Sequence, residues 1–200
     1  MKTHTPRIEV ILAKLAGGDR RSLGHSAEVV AAVRRDPSLV PALALALEHP
    51  DPVVRGRAAD ALEKATRTQP AWLHPVKRTL LRAAQESRQA EVRWHLAQML
   101  SRLALGRAER RTCVSILRTY LRDPSSIVRT FALQALADLA ATDSSLRAEA
   151  RATIESALAG GSPAMRARGR KLLACWPRDA RPTTDTPKPA SRKDAHGPRR

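Results

Sequence analysis

The sequence predicts an all-α fold, a right-handed α–α superhelix of about five helix pairs. Three observations predict it. The chain is 42% hydrophobic but only 2% aromatic, so its core must come from Ala, Leu and Val. Ala and Leu favour helices, whereas strand-rich folds use more aromatic and β-branched side chains. An apolar residue followed by Arg recurs at nearly even intervals, and Pro or Gly separates the apolar segments.

The repeated dipeptide defines the period. It recurs at intervals of 38, 36 and 37 residues, close to the length of two helices and two turns. Its four copies are Val54-Arg55, Val92-Arg93, Val128-Arg129 and Met165-Arg166. Seven residues after each Arg comes a leucine: Leu62, Leu100, Leu136 and Leu173. This spacing places the apolar residue and the leucine on one face of a helix.

Each repeat therefore predicts two helices, with the repeated Arg near the start of the second. The predicted pairs are 38–48 with 53–66, 71–85 with 90–105, 107–122 with 125–141, and 145–159 with 163–176. Breakers fall between them, including Pro50, Pro124 and Gly160-Gly161. We expect the leucines at 81, 100, 117 and 136 to be almost fully buried.

Two further helices precede the first pair, at about 7–16 and 26–35, and lack the dipeptide. We interpret residues 1–37 as an N-terminal cap, because an end repeat would otherwise expose its stacking face. Residues 38–176 form the four repeats of the same domain. Residues 177–200 hold five Pro, seven basic and three acidic residues and no large apolar one. Such a segment cannot offset its ordering entropy, so we expect a disordered basic tail.

The string D-P-x-V-R-x-x-A-x-x-A-L at 51–62 resembles HEAT repeats, most closely the short bacterial HEAT-like type within the armadillo-like families. The resemblance covers residues 38–176. It implies a scaffold or adaptor function, although relatives include a family of DNA-repair glycosylases and bilin lyases. It also implies that the repeated arginines are structural, hydrogen-bonding neighbouring turns as a ladder; these are Arg55, Arg93, Arg129 and Arg166. The last copy departs from the pattern at Gly169 and Arg170, as a terminal cap would.

No catalytic motif is present, so we expect a non-enzymatic protein without a cofactor or metal. There is no phosphate-binding glycine loop and no metalloprotease helix motif. Trp94 and Asp138 fall on successive second helices and could supply the aromatic cleft and carboxylate of a glycosylase, but no family-specific motif surrounds them. Cys113 falls on a first helix and is predicted to be a core residue.

The formal net charge of +17 allows a second function. A basic superhelix could follow a phosphate backbone with an affinity that falls steeply with salt. Acidic residues are interspersed along the repeats, however, and no recognised nucleic-acid motif is present. A protein partner is therefore the first expectation and nucleic acid the alternative.

In the implied HEAT-like stack, the second helices line the concave side. Positions one, five and eight residues after the repeated Arg point away from the core face, and the position two residues after it lies at the margin. The candidate partner-binding residues are Arg57, Trp94, His95, Gln98, Phe131, Gln134, Asp138 and Arg168. Trp94 is the centre of this prediction, because its helix already has a complete apolar face.

The remaining features predict a monomer in the cytoplasm. The N-terminus lacks the apolar core of a signal peptide, and no apolar stretch approaches the length of a membrane span. The two cysteines, Cys113 and Cys175, have no partner at metal-ligand spacing and indicate a reducing compartment.

Overall fold

The fold was examined in a computed structural model that describes residues 5–17 and 24–176. Within these ranges the chain is all-α, with ten α-helices and no strand, which confirms the predicted class. The helices are α1 (Thr5–Leu15), α2 (Ser26–Arg35), α3 (Val40–Leu45), α4 (Pro52–Thr66), α5 (Lys77–Glu86), α6 (Ala90–Leu100), α7 (Arg107–Tyr120), α8 (Ser126–Thr142), α9 (Arg147–Gly160) and α10 (Pro163–Ala174).

Three predicted helices differ clearly from their predicted bounds. The one predicted at 38–48 is a short α3 between two 3₁₀ segments, Pro37–Leu39 and Ala46–Glu48. The one predicted at 71–85 begins as the 3₁₀ segment Pro70–Val76, which contains Pro75. Proline lacks the N–H that a continuous α-helix requires, so the tighter turn replaces the helix in the two segments that begin with proline. Helix α6, predicted at 90–105, ends at Leu100.

Two of the four second helices, α4 and α10, begin at side-chain caps. The Asp51 carboxylate accepts a hydrogen bond of 2.8 Å from the backbone N–H of Val53, and Pro52 occupies the first turn of α4. The Ser162 hydroxyl accepts one of 3.3 Å from the N–H of Met165, next to Pro163 in α10. Both satisfy an N–H that has no partner within the helix. Helices α6 and α8 begin without a side-chain cap.

The second helices pack side by side in a row. Helix α4 contacts α2 and α6, α6 contacts α8, and α8 contacts α10. The first helix of each pair, α3, α5, α7 or α9, packs on its own second helix. The expected leucines lie between these layers: Leu81 is 7% exposed, and Leu100, Leu117 and Leu136 are 0% exposed. The repeat therefore located the core correctly.

The C-terminal end is less enclosed. Leu173, which stands at the same repeat position as Leu100, is only half-buried. Gly169 allows α9 and α10 to approach closely, since a Cβ at this position would lie 3.2 Å from the Leu158 side chain. The predicted tail at 177–200 lies outside the described residues. None of the described helices combines the length and hydrophobicity needed to cross a bilayer.

Candidate functional site

The second helices bring the predicted aromatic residues together. The Trp94 ring on α6 lies 5.3 Å from the Phe131 ring on α8, centroid to centroid, at an interplanar angle of 34°. The Trp94 ring is also 3.7 Å from the ring of His95. Trp94 and Phe131 are both half-buried against the core. Within the described chain the indole N–H of Trp94 donates no hydrogen bond.

A chain of polar contacts continues from Phe131 toward α10. The Arg168 guanidinium lies 5.7 Å from the Phe131 ring centroid, and its Nη1 donates to Gln134 Oε1 at 2.7 Å. Gln134 Nε2 then donates to Asp138 Oδ1 at 2.6 Å. We call Trp94, Gln98, Phe131, Gln134 and Arg168 the central strip. Gln134 was expected to offer a free amide; the structure uses both ends of that amide internally.

Two other members of this region have weaker internal contacts. Gln98 Nε2 donates to the backbone carbonyl of Trp94 at 3.3 Å. The hydroxyl of Ser101 lies 3.4 Å from Asp138 Oδ2. Partial desolvation raises the pKa of the Asp138 carboxyl, while hydrogen bonds from Gln134 and Ser101 oppose the rise. Asp138 and Gln98 thus stay close to the surface while being held in place by their own helices.

His95 is almost completely buried, which corrects its assignment to an exposed face, although it borders a cleft between α4 and α6. It is 4% exposed and lies between α6 and α4, with Nε2 3.6 Å from Asp60 Oδ1. Its Nδ1 is buried and has no hydrogen-bond partner among the described residues. Desolvation lowers the pKa of His95 from 6.5 to about 4, although Asp60 and Glu63 act in the opposite direction. His95 is therefore neutral at physiological pH and contributes to the core.

Arg57 is also buried, at 5% exposed, which corrects its assignment to the partner-binding surface. Its Nη1 donates to the carbonyl oxygens of Leu15 at 2.8 Å and Gly17 at 2.6 Å. The last carbonyls of a helix have no partner within it, so Arg57 caps α1 from another repeat. Gly24, with φ +49°, makes room for it: a Cβ there would lie 2.8 Å from Arg57 Nη1.

Beside these two residues lies a buried ionic group that the sequence did not reveal. The Glu63 carboxylate is bonded by Arg67 at 2.6 Å and by Arg102, in the turn that follows α6, at 3.2 Å. The side chain of Glu63 is only 3% exposed. The pair between Glu63 and Arg67 is visible in the sequence as a four-residue spacing. The contribution of Arg102 is not, because it depends on which helices become neighbours.

The repeated arginines bind the turns that join the helices. Arg55 Nη1 donates to the His49 carbonyl at 2.8 Å, and Arg55 Nε donates to Gln89 Oε1, in the next repeat, at 3.1 Å. Arg93 likewise bonds the Ser87 carbonyl and reaches forward to Asp123. Among the described residues, Arg129 and Arg166 bond the turn that precedes their own helix, through the carbonyls of Asp123 and Gly161 among others. All four arginines hold turns, although Arg166 is also exposed to solvent.

Two clefts flank the central strip. One of about 400 Å³ lies between α4 and α6, with Asp60, Glu91 and Trp94 in its lining. The other, of about 320 Å³, lies between α8 and α10, with Arg168, Lys171 and Trp176 in its lining. The first cleft borders the buried ionic group, and the second borders the polar chain. The strip and its clefts form a continuous surface along the row of second helices.

No three His, Cys, Asp or Glu side chains come together in the described part of the chain as metal ligands would. Burial raises the pKa of the Cys113 thiol to about 12, so it stays protonated. The predicted core position of Cys113 is confirmed. No protein-family model matches the sequence, and no curated protein matches it.

Proposed function

We propose that this protein is a non-catalytic HEAT-like adaptor that binds a protein partner through its second helices. In this proposal the helix pairs form the right-handed superhelix that the repeat predicts, and the central strip lies on its concave side. The contacts between α4, α6, α8 and α10 support it, because they align equivalent positions of successive repeats. An extended peptide could follow such a row from one cleft to the next.

Trp94 carries the proposal. Its helix has a complete apolar face in Val92, Leu96, Met99 and Leu100, all 0% exposed, so the core does not require another large side chain. The indole is only partly buried, and its N–H, which is not one of the buried unpaired atoms, donates to no described residue. Tryptophans often dominate interface energies. A partner's backbone carbonyl would accept from this accessible N–H in place of water.

The chemistry of the surface also favours binding over catalysis. His95 is neutral, buried and in contact with the Trp94 ring, so it is poorly placed to exchange protons with a substrate. Asp138 is bonded to Gln134 and Ser101. Neither residue lies beside a nucleophile that it could activate. The groups that remain available on the strip are an indole N–H, an amide oxygen and ring faces, which recognise rather than react.

Nucleic acid remains the second candidate, favoured by the net charge of +17. Several surface arginines are already neutralised within the fold, however. Arg82 pairs with Glu48 at 2.6 Å, and Arg118 pairs with Glu149 at 2.6 Å. We therefore expect only weak binding to oligonucleotides, lost at physiological salt.

Selection from a displayed random-peptide library tests the proposal. We expect peptides that bind the wild-type protein and lose about tenfold or more in affinity for Trp94→Ala. Trp72→Ala is the matched control, because Trp72 is also half-buried but lies in the 3₁₀ segment Pro70–Val76, outside the strip. The control should bind as the wild type does.

Denaturant unfolding of both variants accompanies the selection. Trp94→Ala should lose no more than about 2 kcal/mol, because the indole is only partly buried and lies outside the fully buried apolar face of its helix. Failure to select any peptide, or a much larger loss of stability, would show that Trp94 serves the core instead. Tight, salt-resistant binding of an oligonucleotide would favour the second candidate.

A further inference from the structure

The cleft between α8 and α10 combines an apolar lining with an excess of positive charge. Its volume is about 320 Å³. Alanines of α8 together with Leu172 and Trp176 form the apolar part of its lining. Arg147, Arg168 and Lys171 also line it, against the single carboxylate of Asp138. The lining thus carries more positive than negative groups.

Two of these cations are not neutralised within the described part of the protein, whereas Arg168 interacts electrostatically with Asp138. The side chains of Arg147 and Lys171 are exposed and make no hydrogen bond or ion pair with another described residue. Arg168 bonds the neutral amide of Gln134. The acids of α9 are already engaged, since Glu149 pairs with Arg118 and Glu155 pairs with Arg151. The positive charge of the cleft is therefore available to a ligand.

We propose that this cleft binds an acidic segment of the partner, in which carboxylates alternate with aliphatic side chains. This inference rests on the proposed function and specifies its partner. The carboxylates would pair with Arg147 and Lys171, and an aliphatic side chain would lie against Leu172 and Trp176. Complementary charge favours such a segment, because it also raises the rate of encounter and excludes basic competitors.

The same complementarity decides between the possible occupants. The chain's own residues 177–200 carry seven basic and three acidic residues, so their net charge has the same sign as that of the cleft. A phosphate backbone would satisfy the cations but gain nothing from the alanines and Leu172 in the lining. An acidic and aliphatic peptide uses both features. The observations therefore favour a peptide over nucleic acid.

Fluorescence anisotropy with the full-length protein tests this assignment. The probe is a labelled peptide of alternating Glu and Leu, and two altered peptides carry Gln for Glu or Ala for Leu. Wild-type protein should bind the probe, and both altered peptides should bind at least about tenfold more weakly. An unlabelled single-stranded oligonucleotide of equal charge serves as a competitor and should displace the probe poorly.

Charge-reversal variants test whether the probe binds in this cleft. The double variant Arg147→Glu and Lys171→Glu should weaken binding of the probe by about tenfold or more. The control, Arg107→Glu with Arg111→Glu, changes the net charge equally at two exposed positions of α7 outside the cleft. It should change affinity by less than about threefold, as expected for a long-range effect.

Three outcomes would overturn the inference. Both double variants could lose the same affinity for the probe, the peptide with Ala for Leu could bind as tightly as the probe, or the oligonucleotide could displace the probe efficiently. Circular dichroism of each variant verifies that the helices remain folded. If library peptides still depend on Trp94 while the acidic probe does not bind, the adaptor proposal stands and only this inference fails. If no peptide binds in either experiment, both fail.

Discussion

Equivalent positions at the two ends of the row of second helices have opposite surroundings. Arg57 in α4 and Arg168 in α10 both follow a repeated arginine by two residues. Arg57 is 5% exposed and caps α1, whereas Arg168 is half-buried and bonds a side-chain amide near the surface. The difference arises because α1 and α2 cover α4, while α10 forms the opposite end of the described row. The position of a residue within the repeat decides which face of its helix the side chain lies on. The neighbouring helices decide whether that side chain is buried.

The central helices lie between these extremes. His95 is buried at this position in α6, and Phe131 is half-buried at the same position in α8. Exposure thus increases toward the C-terminal end, where the unpaired cations also lie. The proposed central strip lies on α6, α8 and α10, where this position becomes more exposed.

The largest expected difference in stability is between alanine variants of two leucines at the same repeat position. Leu100→Ala should cost about 2–5 kcal/mol in the free energy of unfolding, because the leucine is 0% exposed and leaves a cavity. Leu173→Ala should cost about 1–2 kcal/mol, because that leucine is half-buried. Urea denaturation measures both. Equal costs would show that α10 is packed as tightly as α6.

Alanine variants of Arg57 and Arg168 should also differ in stability. Arg57→Ala should destabilise the protein by about 2 kcal/mol, because it leaves carbonyls of α1 without their donor. Arg168→Ala should cost less than about 1 kcal/mol, since water can replace a contact near the surface. Thermal or urea unfolding of the two variants measures the difference. A larger effect at Arg168 would reverse the proposed order of the two ends.

The smallest expected effect is a dependence on pH that originates at His95. Its pKa is about 4 in the folded protein and 6.5 when unperturbed, so the unfolded chain binds more protons between these values. Stability is therefore lost as the pH falls, by about 1 kcal/mol from about pH 7 to about pH 5.5. Carboxylates with lowered pKa values also reduce the stability as they are protonated, but at lower pH than His95. His95→Gln should remove this part of the dependence, and an unchanged profile would contradict the assignment.

Much of this fold follows from the sequence because two periods are visible in it. One is the spacing of apolar residues along a helix, and the other is the repeat length of 36 to 38 residues. The buried positions of Leu81, Leu100, Leu117 and Leu136 follow directly from the position of each leucine relative to the repeated arginine. The site was less predictable. Trp94 and Phe131 meet because helices α6 and α8 are equivalent neighbours, which the repeat implies.

The burial of Arg57 could not be predicted in the same way. Its partners are backbone carbonyls of Leu15 and Gly17, in a helix that lacks the repeated dipeptide. Backbone acceptors have no signature in the side-chain sequence, and only the packing of α1 brings them near α4. The same holds for Arg102 and Glu63, whose contact joins two repeats. Helical periodicity assigns a face to each residue but does not say what covers it.

The repeated arginines have a consequence for how the molecule opens. Arg55 and Arg93 each join their own turn to the turn of the next repeat, through Gln89 and Asp123. The first repeats are therefore linked by these side chains as well as by helix packing. Arg166 bonds only the Gly161 carbonyl within its own turn. Amide protons of α9 and α10 should therefore exchange with solvent through a partial opening that leaves α4 and α6 intact. Fraying from this end would make the α8–α10 cleft the most adaptable part of the surface.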